Sequence, residues 1–281
     1  MSDRSKHAPV LAATLATLVS VAACGSGDDN AAPATQTGTF VDSPVAGLNV
    51  QGGALGARTT DAQGRYNYQA GDTLTFSIGN LALGSATAAA TLTPLSITGG
   101  AASATDQRVT NKLILLQTLD ADGDLNNGIQ ITDGIRTVVS AQAAAINFDQ
   151  ASTAFRTSLA PLLTALNAAN VFTDLDPRPR SVRTTVAALE HFTRSTSPRQ
   201  VVTTTGGQLS GFEANATTWQ YLGIPYARPP VGDLRWRPPV APQPWTGVRN
   251  AVSWTNQSAQ DTRLEAIGEG GMSEDSLYLN V

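Results

Sequence analysis

The sequence predicts a mixed, multi-domain chain: a small β-sandwich-like module, a helical module, and then a second β-rich stretch of different composition. Three observations point to this. Thr39 to about Ile97 alternates apolar and polar residues at the period of a strand. From Ser103 the apolar residues recur at helical spacing instead. All four Trp (Trp219, Trp236, Trp245, Trp254) lie in the last third, while the first two thirds are rich in Ala, Thr, Gly and Leu. The 281 residues suffice for two modest domains. With 14% charged residues and a net charge of -4, there is no basic field for nucleic acid and no polybasic membrane patch. A single Cys excludes an intramolecular disulfide.

Residues 1–24 read as an export signal with a lipobox. Arg4 and Lys6 give the positive start, and Pro9 to Ala23 form an apolar run. That run is shorter than the roughly 20 residues a spanning helix needs. It closes on Val21-Ala22-Ala23-Cys24, which resembles a bacterial lipobox. The Cys24 thiol would accept a diacylglycerol, and the several acyl chains of a lipoprotein would anchor it stably. A secretory signal with an incidental Cys, or an uncleaved anchor, is the alternative. Residues 25–38 (GSGDDNAAPATQTG) have the composition of a flexible tether. Gly25 after the Cys resembles an outer-membrane sorting signal, so the chain is expected to be exported and held at a bacterial outer membrane.

Residues 39–100 form the expected β module. Alternation is clearest in Leu48–Gln51, Tyr66–Tyr68 and Leu74–Ile78, with turn signals at Asp61-Ala-Gln-Gly64 and Ala70-Gly-Asp72. The phrase TTDAQGRYNY resembles carboxypeptidase-regulatory-like β-sandwich modules, which space, present or bind.

Residues 101–196 form the expected helical module. Ser103-Ala-Thr-Asp106 reads as a capping box before a helix carrying Val109, Leu113, Ile114 and Leu116. Further helices are expected over 134–146, 152–169 (kinked at Pro161) and 181–194. In the last, Val182, Val186 and Leu189 make the apolar stripe and His191 lies off it, as a solvated surface residue. Between the first two helices Asp122, Asp124 and Asn126 supply oxygens at alternating positions, and Asp133 closes the frame. This is the spacing of an EF-hand-like calcium loop, with Asn127 at the sharp turn in place of Gly and Asp in place of the closing Glu. An acidic loop capping two helices fits the same residues.

Residues 197–281 carry the specific signal. Val202 to Gly211 reads as a hairpin. Trp219-Gln-Tyr-Leu-Gly-Ile-Pro-Tyr-Ala-Arg-Pro-Pro-Val-Gly-Asp-Leu-Arg-Trp236 is followed by Pro238-Pro239, by Trp245-Thr-Gly-Val-Arg-Asn-Ala251, and by Ser273-Glu-Asp-Ser-Leu-Tyr-Leu-Asn-Val281. These blocks, in this order, resemble the opening of type B carboxylesterases. The resemblance implies the N-terminal β segment of an incomplete α/β-hydrolase domain. It also implies a serine hydrolase acting on small carboxylic esters without a cofactor. The family's paired half-cystines correspond here to Ser258 and Ser276, so a loop staple of roughly 2–4 kcal/mol is missing.

No catalytic residue can be assigned. The chain has no GxSxG elbow and no HGG oxyanion loop, and Gly268-Glu-Gly-Gly271 precedes the family's main sheet. Ser273 and Ser276 lack a base, and an unpaired SLYLNV strand would be an aggregation-prone terminus. The chain is therefore expected to be the truncated front of a lipid-anchored carboxylesterase, inactive by itself. A non-catalytic surface lipoprotein with a binding or adhesion role is the alternative.

Overall fold

The computed structural model describes residues 33–176, 179–260 and 271–281. The export signal, Cys24, residues 25–32 of the tether and most of the 268–271 loop lie outside the described residues. No helix among the described residues is long and apolar enough to cross a membrane.

Eight short strands come first: β1 (Thr35–Phe40), β2 (Val45–Ala46), β3 (Asn49–Gln51), β4 (Arg58–Thr59), β5 (Arg65–Gln69), β6 (Thr73–Ile78), β7 (Leu81–Thr87) and β8 (Thr91–Leu92). All but β2 make two small sheets, ordered β5-β1-β8 and β4-β3-β6-β7. The predicted alternation has the expected cause. Leu74, Phe76 and Ile78 of β6 are buried, and the residues between them are not. Phe76 bridges the sheets, its ring 4.8 Å from Phe40 and 5.4 Å from Tyr66. The turn at 61–64 is built by Asp61, whose carboxylate accepts from the backbone of Gln63 and Arg65, each at 2.9 Å. Gly64 sits at φ +69°, and a Cβ there would meet the backbone of Val45 at 2.7 Å.

Five helices follow: α1 (Gln107–Thr118), α2 (Asp133–Gln142), α3 (Ser152–Ser158), α4 (Ala160–Ala168) and α5 (Thr185–Thr196). Helix α1 is the axis of this part, with every residue from Val109 to Thr118 buried. Its cap differs from the expected one. Asp106, not Ser103, accepts from the backbone of Arg108 at 2.9 Å, while Ser103 bonds Thr105. A charged Asp at this point favours the helix N-terminus more than a Ser would. The helix expected over 152–169 is two helices meeting at Leu159, because Pro161 has no N–H to continue the ladder.

The expected β and helical modules share one core: a single apolar cluster runs from Phe40 through Leu113 and Leu116 to Phe155 and Phe192. Neither segment is large enough to bury its own apolar face well, and each covers the other. Strand β9 (Ile129–Gln130), just past the acidic loop, pairs in parallel with β2 and ties the two together. Residues 34–281 cluster as one compact unit.

The last part is made of β10 (Arg199–Thr204), β11 (Gly207–Asn215), β12 (Thr218–Gln220), β13 (Ile224–Pro225), β14 (Val248–Asn250) and β15 (Tyr278–Leu279). Strand β11 is central, antiparallel to β10 and β12 and parallel to β14.

Candidate functional site

The motif-bearing residues are held together as follows. The β10–β11 hairpin turns at Thr205–Gly206, and Trp245 closes over it, donating from Nε1 to the Gln208 carbonyl at 2.8 Å. Gly207, at φ +144°, lies so near this indole that a Cβ would sit 2.6 Å from Nε1. Trp245 and Tyr221 pack against this sheet, whereas Trp236 is 96% exposed. The Arg228–Leu234 stretch stays out of regular helix as its prolines dictate, ending in one 3-10 turn at Gly232–Leu234.

The C-terminal strand is paired, contrary to expectation. Ile224–Pro225 of the GIPYA block lies antiparallel to Tyr278–Leu279. Tyr221 and Val281 exchange backbone hydrogen bonds at 2.8 and 2.9 Å. Arg235 of the LRW block reaches Glu274 of the SEDSL block at 2.5 Å. The blocks that stand apart in sequence thus form one contact. Ser258 and Ser276, the positions matching the family's half-cystines, line a common pocket of about 240 Å³ with Pro230, Arg235, Trp236 and Glu274.

The hydroxyls here are not activated. Ser273 donates to the Asp176 carboxylate at 3.0 Å and has no His partner. Burial raises the Asp275 carboxyl above the usual range, and Asp275 bonds the Tyr278 phenol, itself raised by burial. That pair locks the SEDSLYL turn and presents no nucleophile.

His191 departs most from expectation. It is fully buried, because the inner face of α5 is Ala187, Ala188, His191 and Phe192, whereas Val186 is 65% exposed. The sequence stripe followed the larger side chains. The small Ala residues are what let α5 approach α1. His191 Nε2 lies 3.1 Å from the Ser43 hydroxyl and 3.2 Å from that of Ser195. Burial and the nearby Arg183, Arg194 and Arg199 push its pKa well below 6.5, so it is neutral. This Ser–His pair is not a nucleophile. Ser43 gives its proton to the Leu125 carbonyl at 2.8 Å, and both residues are sealed from solvent. Beside it Asp42 is also fully buried, bonded through both oxygens by Gln117 at 3.1 Å, and burial raises it to about 8.

The structure does not support the expected calcium site in the acidic loop. Its predicted ligands are engaged by protein groups. Asp122 accepts from the backbone of Asp124 and from the side chain of Asn127. Asp124 pairs with Arg249 at 2.6 Å. Asp133 points to solvent from the first turn of α2 and pairs with Arg136. Among the described residues no group of three or more His, Cys, Asp or Glu side chains converges to hold a metal ion.

Asn126 is the surprise. It is fully buried, and its amide uses every direction. Oδ1 accepts from the backbone of Val252 and Ser253 at 2.9 Å each, and Nδ2 donates to the carbonyls of Ser253 (2.9 Å) and Leu222 (3.4 Å). Its own carbonyl accepts from Asn250 at 2.9 Å. Gly223, at φ +67°, gives it room: a Cβ there would lie 2.3 Å from Nδ2. The residue read as a calcium ligand holds the motif-bearing stretch instead. Further bonds run along the same seam, from Arg194 to the Val252 carbonyl at 2.7 Å and from Glu274 N to Asp176 at 2.9 Å.

Residues 198–281 match the model of the Carboxylesterase family. A fumonisin B1 esterase of Sphingopyxis macrogoltabida is 45% identical over 85 residues, 30% of this chain and 15% of that protein. An acetylcholinesterase of Gallus gallus is 38% identical over 122 residues, covering 38% of this chain and 15% of the relative. Among solved structures, a carboxylesterase of Geobacillus stearothermophilus shares 43% identity over 29% of this chain and 16% of its own, with a TM-score of 0.25. The chain thus spans about 15% of the length of these curated relatives.

Proposed function

We propose that residues 198–281 are the opening scaffold of a serine-type carboxylic ester hydrolase, exported and held at a membrane through an acylated Cys24. The observation that carries this is the ordered match of the GIPYA, WTGV and SEDSLYLNV blocks, supported by 45% identity to a relative named as an esterase. The described residues supply framework: a hairpin sealed by Trp245, and a paired strand at Tyr278–Leu279. The acyl-enzyme chemistry would rest on a Ser, a His and an acid outside these 281 residues. No cofactor is needed for that reaction.

The open reading frame is the test. A GxSxG pentapeptide and a late His beyond residue 281, with hydrolysis of p-nitrophenyl butyrate by the whole product, would support the proposal. Their absence would support the second reading, a surface lipoprotein with a binding role. The Ser43 proton goes to the Leu125 carbonyl and the Ser273 proton to Asp176, which leaves neither serine as a nucleophile and is compatible with that reading. The 281-residue chain itself is expected to give no turnover above a buffer blank. Cys24→Ser is expected to abolish labelling by a palmitate analogue and to release the protein from membranes. Unchanged labelling would remove the lipoprotein assignment.

A further inference from the structure

We infer that residues 34–197 act as a built-in docking template that holds the carboxylesterase-like opening in its folded form. The opening has little core of its own. Among its described residues, the buried apolar side chains other than Ala227 fall into two satellite clusters, one of Leu209, Tyr221 and Ala251 and the other of Phe212, Leu222 and Val252. The preceding part has one continuous core. A stretch with so few buried apolar contacts cannot offset its own ordering entropy, and something must hold it.

What holds it is a polar seam aimed at its main chain. Asn126 engages the backbone of Leu222, Val252 and Ser253 through its side chain, and of Asn250 through its carbonyl. Leu222 follows β12, and 250–253 runs on from β14, so one amide joins the two sides of the small sheet. Arg194 adds the Val252 carbonyl from α5. Arg249 adds Asp124, with both side chains mostly buried. The loop bearing Asn126 is itself fixed from behind, since Ser43 bonds the Leu125 carbonyl and β9 is laddered to β2. These contacts hold the loop without using any residue of the opening, so little of its freedom is lost on docking. The recognised chemistry is a pair of adjacent backbone N–H groups and two carbonyls presented by an extended chain.

This inference does not rest on ester hydrolysis, and its test reads no activity. Hydrogen exchange is followed in the whole 281-residue chain, for wild type and for Asn126→Ala. The variant leaves two N–H groups and two carbonyls without their partner. Exchange in 207–222 and 248–253 is expected to rise about 10- to 100-fold, while that of α1 and β6 stays within about threefold. Asp124→Asn, which weakens the ion pair with Arg249 and the acceptor of the Asn126 N–H, is expected to accelerate the same two segments about threefold and nothing in α1. If Asn126→Ala fails to fold, Asp124→Asn decides by the same pattern. The inference is overturned if exchange in 207–222 and 248–253 does not change. It is equally overturned if those segments and α1 accelerate together, because Asn126 would then be one more core residue of a single cooperative unit.

Discussion

The two halves of this molecule are stabilised by different means. Residues 34–197 bury Phe40, Phe76, Leu113, Leu116, Phe155 and many others in one cluster. The described residues of 198–281 bury few apolar side chains and leave Trp236, Tyr226 and Trp254 exposed. The first half is held by non-directional apolar burial, which tolerates small shifts. The second depends on directional bonds to backbone groups, which do not. Damage should therefore spread differently in the two halves.

The largest effect is expected in the first half. Phe76→Ala removes the ring that joins both sheets and should cost about 3–5 kcal/mol, melting strands and helices together in one transition seen by circular dichroism. Two separate transitions would mean that the β and helical parts have independent cores. In the second half, Gly207→Ala must place a Cβ against the Trp245 indole at a strained φ. It should cost about 1–3 kcal/mol and shift Trp fluorescence while α1 stays protected. A loss shared equally by both halves would erase the contrast.

A third test concerns pH in the first half. Asp42 has its pKa raised to about 8 by burial, so the folded state holds its proton where the unfolded state has released it. Stability should then fall as pH rises from about 4 to 8, by up to about 1.4 kcal/mol per unit from this group. His191 has the opposite sign. Its lowered pKa makes stability fall as pH drops below about 6.5, so this slope opposes that of Asp42 in acid, and between about 6.5 and 8 the falling slope of Asp42, joined by that of the raised Asp120, remains. Asp42→Asn should flatten the loss in that upper window, leaving the share of the buried Asp120. Urea midpoints across pH would show this, and an unchanged slope would refute it. The smallest effect is expected from Arg235→Ala, which breaks an exposed, solvent-screened pair with Glu274 and should barely move the urea midpoint. A larger loss in urea unfolding would mean that the contact between motif blocks matters more than its exposure suggests.

What the sequence disclosed follows from what it encodes locally. The period of Leu74, Phe76 and Ile78 declared a strand, and that of Val109, Leu113 and Leu116 a helix, because burial repeats with backbone geometry. The carboxylesterase-like blocks were legible as patterns, though not the pairing of Ile224 with Leu279, which joins distant residues. His191 was misplaced because the stripe of α5 was drawn through its bulky residues, whereas the packed face is made by Ala187 and Ala188. Asn126 was misread because oxygen spacing is shared by a cation loop and by a loop that serves the main chain. Its partner Ser253 stands 127 residues away, where no local signal reaches.

The seam at Asn126 has a consequence for how such a chain can drift over generations. Its four side-chain bonds address peptide groups, which every residue type except proline offers alike. At Val252 and Ser253 the docking contact thus excludes only proline, and at Leu222 it reads nothing but a carbonyl. The constraint gathers on Asn126 and on the glycine that makes room for it, Gly223. The attachment thus demands a particular residue at two points, one on each side of the seam, and asks only for a peptide group everywhere else.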